Sequence, residues 1–187
     1  DRPSLGPRPR SGQLGDRHVQ GGGDVGAPRR IDGVDGLLHQ GAYTDWADSI
    51  GRTGRILYTN VLYWKAVTGL AEAAARFADT ATRRFWQDKA ARLHDDIQAH
   101  FWREEQGYFI TSARYHNLSS SGNTLAVAWG LATEAQSHAI LDAMARIGMA
   151  NPVPTQVVSY GYRRRDVAVE NHLARIPHYH TSAAWLW

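Results

Sequence analysis

The stretch LYTNVLYWKAVTGLAEAAARFADTATRRFWQDKAARLHDDIQAHF, residues 57–101, carries a helical period on both sides of a short break. In its first half Leu62, Ala66, Leu70, Ala73 and Phe77 recur at spacings of four and three, which predicts an amphipathic helix with that stripe toward a core. The alanine-rich run around Ala71–Phe77 adds helix propensity and allows close approach of a neighbour. Asp79 or Thr80 then offers an N-cap. The second half places Trp86, Ala90, Leu93, Ile97 and Phe101 on one face, with Arg83, Lys89, Arg92 and Asp95 opposite. So short a break predicts that the two helices pack antiparallel as a hairpin.

Downstream the pattern continues in kind. Glu104–Gly107 reads as a turn, and Tyr108–Thr111 as a β-prone run too isolated for a sheet of its own. A helix is expected over Thr124–Leu131. Thr133 and Gln136 have the spacing of a capping box for the next helix. That helix carries Ala139, Ile140, Met144 and Ile147, and Gly148 closes it, so a second hairpin is expected. Asn151–Pro154 breaks the chain, Gln156–Tyr160 is extended or loop, and Arg163–Arg165 reads as a solvated basic face. A further helix is expected to start at Thr181–Trp187. The expected fold is therefore all-α, built from stacked antiparallel helical hairpins without a fixed sequence period.

Upstream, residues 1–40 are rich in Gly, Pro, Arg and Asp and bury too little apolar surface to offset their ordering entropy. They are expected to form a disordered or irregular N-terminal tract, with the folded domain spanning 41–187. The abrupt change of composition also fits a reading-frame or gene-fragment origin for the tract. It has no apolar segment of the kind a signal peptide needs, and its glycines match neither phosphate-binding pattern.

Between tract and helix lies YTDWADSIGRTGRILYTN, residues 43–60. Two acids, Asp45 and Asp48, flank Trp46, with Arg52 and Arg55 close by, as in a site carried on a loop by a rigid scaffold. Either acid can instead cap a turn or pair with an arginine. Trp46 and Tyr58 can line a sugar subsite or pack in a core, and Asn60 can bind a hydroxyl or cap the helix.

The totals narrow the classes. The chain has 187 residues, seven of them Trp, and a net charge of +3. Aromatic faces in that number suit cores and also sugar rings. The arginines are spread along the chain rather than gathered on one helix face, so nucleic acid is not the expected partner. There is no cysteine, which excludes disulfides and thiolate metal sites. No apolar run reaches the roughly 18 residues of a membrane span. The cytoplasm is the expected compartment. His178 and His180 flank Tyr179, but an HxH pair without a third ligand does not make a metal site, so neither metal nor cofactor is expected.

The string DWADSIGRTGRILYTNVLYWKAVTGLAEAA resembles the catalytic-acid region of the six-hairpin glycosidases, in the branch of bacterial amylo-α-1,6-glucosidase (glycogen-debranching-like) and plant neutral invertase-like proteins. GYFITS at 107–112, SGNTLAVAWGLAT at 121–133 and PHYHTSAAWLW at 177–187 are similar to further segments of that branch, in the same order. The resemblance covers residues 41–187. It departs at Tyr179–Ser182, where YHTS stands in place of YHNG.

The resemblance implies part of an (α/α)6 toroid and an inverting glycoside hydrolase acting on an α-glucosidic or sucrose-type bond. Inversion needs two carboxylates, one protonating the leaving oxygen and one activating water, roughly 6.5–9.5 Å apart. By resemblance Asp48 is the acid, with Asp45 the second candidate. The base is a Glu expected beyond Trp187, so this fragment is expected to be inactive alone. Trp46, Arg52, Tyr58, Asn60, Tyr179, His180 and Trp185 are the expected contacts to an oligosaccharide or disaccharide. The competing readings are a non-catalytic helical-hairpin module that binds sugar or protein, and a basic RNA-binding helical protein.

Overall fold

A computed structural model describes residues 36–77, 79–150, 155–176 and 180. The expectations for residues 1–35, the break at Asn151–Pro154, His178, Tyr179, Trp185 and the helix start at Thr181–Trp187 lie outside the described residues. Two strands, β1 (His39–Gln40) and β2 (Gly54–Arg55), pair antiparallel and bracket the acid-bearing loop. Helices α1 (Leu57–Arg76) and α2 (Thr80–Phe101) follow. Strands β3 (Trp102–Arg103) and β4 (Tyr108–Phe109) form a second antiparallel pair. Then come α3 (Ser120–Ala128), α4 (Glu134–Ile147), a 3-10 turn at Arg164–Asp166 and the short α5 (Val169–Leu173).

The α1–α2 hairpin forms as expected and is the most extensive helix–helix contact of the described residues. The Asp79 side chain accepts from the Thr82 N–H at 2.9 Å and starts α2. On α2 the expected face is the buried one: Leu93, Ile97 and Phe101 are in the core, and Trp86 and Ala90 pack against it.

On α1 the expected face is wrong. Leu62, Leu70 and Phe77 are 38%, 45% and 84% exposed, and Ala66 and Ala73 are exposed with them. The buried stripe is Leu57, Asn60, Val61, Val67, Ala71 and Ala74. An alanine-rich helix offers two apolar stripes, and Asn60 on the true one disguised it as polar. Asn60 is buried because its amide is spent on backbone, as described below.

The second hairpin does not form as a packed helix pair. α3 begins at Ser120 and is only nine residues long. It lies on α1, while α4 packs on β4. Leu131, expected in α3, is a buried loop residue. α4 reaches α2 through its end: the Gln98 and Gln136 amides exchange hydrogen bonds at 3.2 and 2.7 Å. The capping box at Thr133 and Gln136 and the left-handed Gly148 terminus (φ 79°) are present as expected. Ile147 is 40% exposed, and Ile140, Ala143 and Met144 carry the buried face. The Tyr108–Phe109 run finds its partner in Trp102–Arg103, across the Glu104–Gly107 turn.

Residues 36–40 belong structurally with the domain that follows. Leu37 is fully buried in the main core, and His39–Gln40 form β1, so these residues pack with the elements that follow them.

Asn60 and Asn123 do the same work in two places. Asn60 is the fourth residue of α1; its Oδ1 accepts from the Leu38 N–H at 2.8 Å, and its Nδ2 donates to Leu38 O at 3.1 Å and Ile56 O at 3.0 Å. Asn123 is the fourth residue of α3; its Oδ1 accepts from the Phe109 N–H at 3.0 Å, and its Nδ2 donates to Phe109 O at 2.9 Å and Ser119 O at 3.0 Å. Each amide pairs both backbone groups of one residue, as a neighbouring strand would: half-buried Leu38 in the first case and buried Phe109 in the second. The two units meet where Gly122 lets α3 approach Leu57: a Cβ there would lie 2.7 Å from Leu57 Cδ2.

Candidate functional site

The loop between β1 and β2 is built around a buried arginine. Arg52 is 1% exposed, yet it carries an obligate charge. Its Nε and Nη2 donate to the two Asp45 oxygens at 2.9 and 2.8 Å, and its Nη1 donates to the Tyr162 hydroxyl at 3.1 Å. Gln40 Nε2 and the Ala47 N–H complete the Asp45 carboxylate at 2.7 and 2.8 Å. Thr59 donates its hydroxyl to Gln40 Oε1, which ties the network to α1. Ala47, Ile50 and Val167 form a small core under the loop, with Trp46 and Tyr162 packed against it.

The loop is stitched to the 160s segment through its backbone. The Gly51 N–H donates to Asp166 O at 2.7 Å, the Ala168 N–H to Ser49 O at 2.8 Å, and Ile50 bridges Val167. Gly51 fits closely here: a Cβ would lie 3.0 Å from the hydroxyl of the half-exposed Tyr43, which would have to shift.

This network fixes the charge state of Asp45. Burial alone would raise its pKa, but the Arg52 hydrogen bonds and charge, with Gln40 and the Ala47 N–H, outweigh burial and hold it below the ordinary value. A carboxylate held in this way does not carry a proton near neutral pH, so the geometry suits Asp45 as an anchor rather than as a proton donor. For Arg52, burial opposes the charge, and Tyr162 and Asp45 together raise its pKa above the ordinary value. Its nitrogens face protein groups, which suits support of the loop rather than contact with a sugar.

Asp48 stands apart from this. Its side chain is 70% exposed, and its Oδ1 lies 3.4 Å from His180 Nδ1. The same nitrogen is 3.1 Å from Ser49 Oγ. His180 is buried, and burial lowers its pKa; Asp48 and Asp45 pull the other way, Arg52 with burial. Neutral imidazole is thereby favoured.

Trp46 joins the two groups. Its ring meets His180 edge-on at 5.0 Å between centroids and Tyr58 at 6.2 Å, and the Arg52 guanidinium lies 5.9 Å from its centroid. A cleft of about 460 Å³ is lined by Trp46, Tyr58, Tyr63, Thr44, Gln40 and Leu62, with Asp45 at its wall. Burial, and then the Asp45 charge, raise the Tyr58 pKa, so its hydroxyl stays a donor.

Of the expected sugar contacts, Trp46, Tyr58 and His180 come together. Asn60 does not: it is fully buried with all three amide bonds made to backbone. Sequence reasoning missed Gln40, Tyr162 and Asp166, which complete the loop from either side. Gln40 fell in the tract expected to be disordered, and nothing local marks the other two as neighbours of residues 45–52. Among the described residues no three acidic or histidine side chains converge as a metal site requires, and none of the helices is long and apolar enough to cross a membrane.

Compared with known families, residues 25–153 match the family model described as the bacterial alpha-L-rhamnosidase 6 hairpin glycosidase domain. The match begins inside the glycine-rich tract and runs through α4. A search of curated proteins gives no match.

Proposed function

Because this chain belongs to the bacterial α-L-rhamnosidase six-hairpin glycosidase family, we propose that the intact protein is an inverting glycoside hydrolase with Asp48 as its general acid. The observation that carries this is the division of labour on one loop. Asp45 is spent on Arg52, so the loop is rigid, while Asp48 is left exposed beside His180 and the Trp46 ring. Trp46 and Tyr58 supply a flat wall for a pyranose, and the exposed carboxyl is free to meet a glycosidic oxygen. Inversion needs a second carboxylate as base, for which a Glu is the proposed group. The family description makes α-L-rhamnosides the first substrates to test; α-1,6-glucosides, as in glycogen debranching, and sucrose follow. The cytoplasm is the proposed compartment.

The 70% exposure of Asp48 supports a second reading, a non-catalytic sugar-binding module. One experiment separates them. The protein of the whole gene, and its Asp48→Asn variant, are assayed on aryl α-L-rhamnoside, isomaltose and sucrose. Turnover by the parent that falls by about 10²-fold or more in the variant supports the acid role. Undiminished turnover in the variant removes Asp48 from it, and no turnover by the parent favours the binding module.

A further inference from the structure

A second pocket, of about 370 Å³, is lined by charged Arg114, Arg163 and Asp166 together with Tyr160 and Tyr162. Its size falls within the roughly 300–1,000 Å³ of small-molecule sites. Asp166 is not open to a ligand. It is 5% exposed, its Oδ1 accepts from Arg114 Nη2 at 2.6 Å, and the Tyr115 hydroxyl is a further partner of the same carboxylate. Its backbone is fixed as well, since Asp166 O accepts from the Gly51 N–H at 2.7 Å.

Arg114 is thereby a placed cation. Asp166 holds one of its nitrogens, and its guanidinium carbon lies 5.1 Å from the centroid of the Tyr115 ring, yet its side chain is 56% exposed. A guanidinium fixed along one edge keeps its other N–H groups aimed in a set direction. Arg163 is exposed and makes no side-chain hydrogen bond or ion pair among the described residues. Two guanidiniums therefore share one carboxylate that Arg114 already engages, and no second acid lines the pocket. The surplus of one positive charge matches a carboxylate better than a phosphate ester, which carries about −1.5 to −2. The aromatic lining adds a preference for a ring. Tyr160 is 53% exposed and offers a flat face, and burial raises its pKa, so its hydroxyl stays a donor.

We propose that this pocket binds an acidic sugar, a single pyranose bearing a carboxylate, with the carboxylate paired to Arg114 and Arg163 and the ring against Tyr160. It is a binding site separate from the Trp46 cleft, and it does not depend on the role given to Asp48.

The test is amide-resolved NMR of the chain, titrated at fixed ionic strength with D-glucuronate, D-glucose and inorganic phosphate in turn. Gly161 lines this pocket and Thr44 lines the other cleft, so their amides report the two sites separately. The expected result is a saturable shift at Gly161 with D-glucuronate, Thr44 unmoved. Affinity should be at least about tenfold weaker for D-glucose, for phosphate, and for D-glucuronate with the Arg163→Gln variant. Arg163 is exposed and unpaired among the described residues, so that variant keeps the fold where a change at Asp166 need not. No saturable shift at Gly161 with D-glucuronate overturns the proposal, as does a response confined to Thr44. D-glucose binding as tightly shows that the carboxylate is not read, and phosphate binding as tightly shows that the ring is not read; either overturns it. So does a Gly161 response unchanged in Arg163→Gln. None of these outcomes turns on whether the intact protein cleaves a glycoside.

Discussion

Arg52 grips Asp45 with two parallel hydrogen bonds across a seven-residue span, and both side chains are out of solvent. Breaking one half of such a pair leaves the other charge buried and unmatched. Asp45→Ala should therefore cost about 3–5 kcal/mol of stability, read as a lower midpoint in urea unfolding. A loss no larger than that of a surface substitution would show that the loop does not rest on this pair.

The pH dependence follows from two lowered pKa values. Asp45 is below its ordinary 3.8 in the folded state, so its contribution is complete above that value and is lost as pH falls through the folded pKa. His180 is below 6.5 when folded because burial favours the neutral ring. The unfolded chain therefore takes up the proton first, and stability declines as pH drops below 6.5 toward the folded pKa. Thermal unfolding across this range should show a decline that His180→Phe flattens near 6.5, with the lower-pH loss retained. A slope unchanged by that substitution would remove His180 as its source.

Two glycines in helices should respond with opposite signs. Gly122→Ala places a methyl 2.7 Å from Leu57 Cδ2 and 3.0 Å from Cγ, in a core with no room to yield, and should cost about 1–3 kcal/mol. Gly69→Ala meets nothing within 4 Å in the middle of α1 and should add about 0.5–1 kcal/mol. Denaturant midpoints of the two variants, measured side by side, should move in opposite directions.

The asparagine pair gives a further expectation. Asn60→Leu matches the size of the side chain but strands the Leu38 N–H and C=O, while Ile56 O keeps the backbone N–H of residue 60, and should cost about 1–3 kcal/mol. Hydrogen exchange at Leu38 should accelerate in that variant, while exchange at Phe109, held by Asn123, should stay as it was.

The second helix, its Asp79 cap, the capping box and the Gly148 terminus were legible because each is a local pattern of a few residues. The buried face of α1 was not. Asn60 looked like a helix cap or site residue, and only the backbone of Leu38, twenty-two positions away, makes it a core residue. The same limit hid half of the candidate site. Asp45, Trp46 and Asp48 announce themselves on one loop, but which acid is spent and which is free depends on Arg52. The buried state of Arg52 depends in turn on Tyr162, 110 residues along the chain. Pairings set by tertiary contact leave no periodic trace.

The two asparagines also couple each helix start to a neighbour. Two of the three bonds of each side chain go to a single residue outside the helix, Leu38 for Asn60 and Phe109 for Asn123, and the third stays on the helix's own N-cap residue, Ile56 or Ser119. One amide thus clasps the backbone on both sides of the junction, and loosening it is expected to free the start of that helix from its neighbour before any helix is lost.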